Sequence, residues 1–168
     1  MCSNETTGER QRRAFHGFYS ERGAESVAEM RECTLFLDDG DLLVGDMGEF
    51  QVLGGLPEAL PDPVAGVVRT VFADDDAETL DRETARTRRD SERYGLDGIT
   101  EIEVETGLPP GSKRLVELDH ARRGELSVFV GTADEYGGED ETRAFVDALS
   151  SAAEDAGGAP RVTSEYDV

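Results

Sequence analysis

ITEIEVE (residues 99–105), KRLVELD (113–119) and GELSVFVG (124–131), followed by ETRAFVDALSSAAEDAG (141–157), decide the fold. In the first segment Ile102 and Val104 alternate with glutamates, the two-residue period of a strand with one buried face. Val116 and Leu118 repeat the pattern in the second, and Leu126, Val128 and Val130 in the third. Short turns join them, Gly107–Gly111 and His120–Gly124, so neighbouring strands run antiparallel. The period then changes. Ala144, Phe145, Ala148, Leu149 and Ala152 lie on one helical face over Glu139–Ala156, and Asp155, Gly157 and Gly158 mark the stop.

Upstream, Thr34–Asp38 and Asp41–Asp46 read as strands joined by the turn dipeptide Asp39-Gly40, with Glu49–Leu53 as a third member of a meander. Residues 54–66, GGLPEALPDPVAG, hold three prolines and three glycines and read as loop. Val67–Phe72 is apolar enough for a strand, and Asp74-Asp-Asp76 is a helix-start signal for a polar helix over 77–93. Ala14–Met30 reads as a helix carrying Phe15, Phe18, Tyr19, Val27 and Met30. The expected organisation is a disordered leader at 1–13, one α+β domain at 14–157 with a loop and polar-helix insertion at 54–95, and a flexible tail at 158–168. The fold class is α+β: an antiparallel sheet or partly open barrel packed by a C-terminal amphipathic helix. The strands and closing helix of 99–157, with 34–53 as a first sheet, resemble pleckstrin-homology-like domains. That resemblance implies a curved antiparallel barrel capped at one end by the helix. A two-layer sandwich fits the same pattern.

Composition sets the solvent. The chain carries 38 Asp+Glu against 17 Lys+Arg, a net charge of -21 over 168 residues. Repulsion at that density opposes compaction unless salt screens it. At 1 M salt the Debye length falls to about 3 Å. Lys113 is the sole lysine, Asn4 the sole asparagine, and Ile99 and Ile102 the only isoleucines. This bias resembles that of proteins from halophilic archaea with GC-rich genomes. The acids run from Glu5 to Asp167 and do not cluster as mimicry of nucleic acid would need, and 37% apolar residues argue against a disordered acidic tail. No signal-peptide core or membrane-length apolar run is present, which points to a cytoplasmic protein.

Candidate sites are few. His120 stands in a turn beside Asp119, where a general base is conceivable, but the simpler expectation is an exposed turn histidine. His16 is the other histidine. Cys33 reads as a small buried hydrophobe, and Cys2 falls in the leader. Asp38, Asp39, Asp41 and Asp46 crowd one hairpin and Asp74–Asp76 form a run, without the calcium-loop pattern. Gly-Gly at 54–55, 137–138 and 157–158 fits no phosphate-cradling loop. The least ordinary feature is the arginines. Arg82, Arg86, Arg89 and Arg93 fall three or four apart, on one face of the expected polar helix. They could contact a partner, or pair internally, Glu78 with Arg82 and Arg86 with Asp90.

No nucleophile–base pair, metal spacing or cofactor motif emerges, so no catalytic residue, metal or cofactor is assigned. The expectation is a non-enzymatic interaction or regulatory module with a protein partner. The alternatives are a nucleic-acid-associated protein using the arginine face, or a small metal-assisted enzyme. The charge makes a direct prediction: transfer from several molar KCl to low-salt buffer will swell or unfold the protein. Circular dichroism melts in the two buffers check it, and identical cooperative melting would refute the salt-adapted reading.

Overall fold

A computed structural model describes residues 14–21, 30–38, 40–49, 82–106, 113–132 and 134–164. The elements are β1 (Ala14–Ser20), β2 (Arg31–Asp38), β3 (Asp41–Glu49), α1 (Arg82–Thr87), β4 (Glu92–Gly95), a 3-10 turn (Leu96–Gly98), β5 (Ile99–Thr106), β6 (Arg114–His120), β7 (Gly124–Val130), α2 (Glu139–Asp155) and β8 (Arg161–Ser164). One eight-stranded sheet has the order β4-β3-β2-β1-β7-β6-β5-β8. Every pairing is antiparallel except β5 with β8, which is parallel because the chain returns through α2. The molecule is thus α+β, a mostly antiparallel sheet packed by a C-terminal helix.

Four local expectations are corrected. The helix expected over Ala14–Met30 is a strand over Ala14–Ser20. Phe15 and Tyr19 join the main core while Phe18 joins a cluster on the other face, a two-sided burial that a strand between β2 and β7 supplies. Gly17 permits the close approach, since a Cβ there would lie 2.7 Å from the Phe129 carbonyl oxygen. The polar helix is reduced, among the described residues, to the six of α1, and Glu92–Gly95 is a strand. Tyr94 and Leu96 sink into the core there, and tertiary burial outweighs the helical spacing of the arginines. Within the expected tail, Arg161–Ser164 form β8. Glu49, expected to open a third strand over Glu49–Leu53, instead ends β3, and the expectations for 1–13, 50–53, 54–66, 67–72 and 74–76 fall outside the described residues.

The main core fills the inner face. Leu35, Leu42, Ile102, Val116, Leu126 and Val128 meet Phe145 and Leu149 of α2. Phe145 is fully buried and meets Phe15 edge-to-face at 5.2 Å between ring centres. Asp and Glu residues at 139–141 complement the helix N-terminus, and the C-terminus closes in a Schellman arrangement. There the Gly157 N–H donates to Glu154 and the Gly158 N–H to Ala153, with Gly157 at φ +89°. On the outer face, Phe18, Met30, Leu115 and Phe129 pack under Tyr136, and Ala85 of α1 covers Phe36 and Leu43.

The sheet curls. β4 is at one edge of the strand order, yet it touches the β6–β7 turn. His120 Nε2 lies 3.0 Å from the Gly95 carbonyl, the Ala121 N–H donates to Gly98, and Tyr94 stacks edge-to-face with His120. No described helix is long and apolar enough to cross a membrane. Phe145→Ala will destabilise the fold by about 3–5 kcal/mol, the range for emptying a phenylalanine site in a packed core. Urea melts in molar KCl measure it, and an unchanged midpoint would show that α2 does not dock.

Candidate functional site

The outer face of β2–β4 carries most of the arginines singled out above. α1 presents Arg82 and Arg86, the turn after it carries Arg89, and Arg93 stands on β4 opposite Leu43. They share one side of the sheet but not one helix face. Asp38 at the end of β2 receives two of them: Arg86 bonds it directly and Arg82 lies 3.5 Å away. Arg82 also sits 5.9 Å over the Phe36 ring. Internal pairing therefore occurs, with Asp38 in place of Asp90; Glu78 lies outside the described residues. Arg89 and Arg93 are exposed and make no ion pair among the described residues.

Two aspartates of the hairpin, Asp38 and Asp46, are paired within the fold. Asp46, buried, accepts hydrogen bonds from the Tyr19 hydroxyl, from Arg31 through both Nε and Nη2, and from the Gly48 N–H at 2.8 Å. Its own carbonyl accepts from Arg88 at 2.9 Å. The node sits at a β-bulge, where the register shifts between Glu32 and Cys33 and Gly48 takes φ +115°. Burial would raise the Asp46 pKa, but the bonds from Arg31 and Tyr19 outweigh it and hold the carboxyl below its ordinary value. Burial and the Asp46 hydrogen bond push the Tyr19 phenol up. Burial, with Asp46 and Glu32 nearby, does the same to the Cys33 thiol, so Cys33 is a packed hydrophobe rather than a nucleophile.

His120 is corrected from exposed to buried, 8% accessible. Its Nδ1 accepts from the Arg122 and Arg123 N–H groups at 3.2 Å, which makes Nε2 the N–H that donates to Gly95. Both ring nitrogens are engaged in holding β4 to the turn, and the exposed Asp119 alternates to the other side of β6. His16 Nε2 lies 3.0 Å from Glu32.

Two features escaped sequence reading. Arg123 binds Glu92, donates to the Arg93 carbonyl at 3.1 Å and lies 4.8 Å over the Tyr94 ring. A carboxylate ridge also crosses the outer face of β5–β7. Register sets Glu103 opposite Glu117 and Asp119 opposite both Glu101 and Glu125. Glu103, Glu105 and Glu117 can each bring an oxygen within 4.8 Å of the others, the one group among the described residues spaced to share a cation. Burial first, then the neighbouring carboxylates, raise the Glu117 pKa. The alternation in ITEIEVE puts Glu101, Glu103 and Glu105 on one face, but only cross-strand register brings Glu117 and Asp119 beside them.

The Asp46 node predicts a pH dependence. A folded pKa below the unfolded one gives stabilisation that is complete above the unfolded value of 3.8 and lost as pH falls through the depressed one. Asp46→Asn will cost about 1–3 kcal/mol at neutral pH by leaving donors short of an acceptor. The gap between variant and parent, measured by chemical melts, will close below the ordinary carboxylate range. A gap constant down to strong acid would contradict it.

No family model and no curated protein matches the chain. Among solved structures, it is similar to the hSac2 domain from human phosphoinositide phosphatase Sac2, with TM-score 0.53 and 10% identity. The match covers 92% of this chain and 76% of that one. A likeness at this identity shows the fold alone.

Proposed function

We propose that the chain is a non-enzymatic protein-interaction module of a salt-rich cytoplasm, contacting its partner through the arginine-bearing outer face of β2–β4. The observation that carries this is the placement of Arg89 and Arg93. In a chain of net charge -21, two exposed arginines stand without an ion pair among the described residues, beside a surface where Ala85 of α1 packs on Phe36 and Leu43. Arg82 and Arg86, already committed to Asp38, set the edge of that surface rather than its binding groups. An acidic segment of another protein is the matching chemistry, because arginine forks carboxylates in defined geometry. The fold proposed is pleckstrin-homology-like. Its support is the pair of meanders, β1–β4 and β5–β7, closed by α2, and the contact of β4 with the β6–β7 turn.

Arg89→Glu/Arg93→Glu will melt like the parent, since neither side chain holds described structure. It will lose the protein that the parent retains in a pull-down from molar KCl. Nuclease treatment will leave the parent's recovery unchanged. Recovery abolished by nuclease would favour nucleic acid instead, and undiminished recovery by the double variant would remove the arginine face from the proposal.

A further inference from the structure

The two edges of the sheet are built differently. At β4 a side chain seals the backbone: Arg123 bonds the Arg93 carbonyl and pairs with Glu92. β8 is four residues long and carries one charged side chain, Arg161, but no proline, lysine or bulge within it; the proline stands before it at 160. β8 instead exposes Val162 at 44%, the one large apolar side chain exposed among the described residues. Next to it, the Arg161 side chain is 77% exposed and only 3.9 Å from Glu101.

We propose that β8 pairs antiparallel with β8 of a second copy, about a twofold axis at Val162, joining two sheets into one. The register follows from the parallel pairing with β5. Arg161 stands beside Glu101 and Thr163 beside Glu103, so both lie on the outer face with the carboxylate ridge, and Val162 lies on the inner side. Opposed residues of an antiparallel pair share a face. With the axis at Val162, the two valines meet, and each Arg161 stands across from Thr163 of the other copy. That threonine neighbours its own Glu103, so Arg161 comes within two strand spacings, about 10 Å between Cα positions, of the ridge of the other chain. An arginine and a glutamate side chain together span that gap. Each copy thereby supplies a cation where Glu103, Glu105 and Glu117 of the other crowd one another, and it does so reciprocally, as an isologous interface requires. The interface also covers the exposed valine. It is separate from the arginine surface on β2–β4 and stands or falls apart from it.

Sedimentation equilibrium of the full chain in molar KCl tests it across a concentration series. The mass is expected to rise from 18.2 kDa toward twice that value. Val162→Asp will hold it at the monomer with an unchanged circular dichroism spectrum. Should Val162→Asp disturb folding, Arg161→Glu decides, since that side chain is exposed and the change sets like charge against the ridge; it will likewise lower the dimer fraction. In a Cys2→Ser background, oxidation will cross-link Val162→Cys between chains more readily than Thr163→Cys. A monomer throughout the series, dimers that survive both substitutions, or equal cross-linking at 162 and 163 would overturn the proposal.

Discussion

Among the described residues, one helix covers the inner face of an eight-stranded sheet. α2 is seventeen residues long, and it touches β2, β5, β6, β7 and the 3-10 turn. A flat sheet of that width would leave its outer strands bare, so the sheet must roll around the helix. The roll carries β4 to the β6–β7 turn. There His120 spans from two turn N–H groups to Gly95, and Arg123 grips Glu92. Gly98 makes this contact possible, because a Cβ at that position would stand 2.5 Å from His120 Nε2. The curl of the sheet, the burial of Tyr94 and the contact of β4 with the β6–β7 turn are consequences of the same demand, that the inner face be kept from water.

Charge is arranged by depth in this chain. Asp46 and Asp38 are matched where they enter the fold, Asp46 by Arg31, Tyr19 and Gly48, and Asp38 by two arginines. An uncompensated charge there would cost several kcal/mol, roughly the margin of a whole domain. On the β5–β7 ridge like charges sit directly opposite one another. Sixteen of the seventeen basic residues are arginine. The planar guanidinium holds two acceptors at once, and that is how Arg31 and Arg123 are used here.

The strands of the second half and the closing helix were legible because their burial is one-sided, so the two-residue and 3.6-residue periods survive in the letters. β1 was not. It is buried on both faces, Phe15 and Tyr19 toward α2 and Phe18 away from it, and a strand of that kind loses its alternation. The arginine run misled for a related reason. Arg82, Arg86, Arg89 and Arg93 keep helical spacing, but Tyr94 and Leu96 are pulled into the core by β3, and the chain straightens before the run ends. Of the candidate site, the residue types were visible and the partners were not. Asp38 with Arg86 is 48 positions apart, Arg123 with Glu92 31, and Tyr19 with Asp46 27, distances at which only the fold brings groups together.

Salt then bears on the edges of the sheet as well as on the core. At low ionic strength the net charge of -21 keeps copies apart whatever their edges look like. In molar salt that long-range repulsion shrinks to about 3 Å, less than one strand spacing. Backbone hydrogen bonds and apolar contact act within that range and are not screened away. A chain working in such a medium cannot rely on its overall charge to protect an open strand, and each edge behaves according to the groups standing on it. β4 has a guanidinium bonded across its backbone. β8 has an exposed valine and an arginine beside a crowded row of carboxylates, groups that attract rather than repel a matching strand.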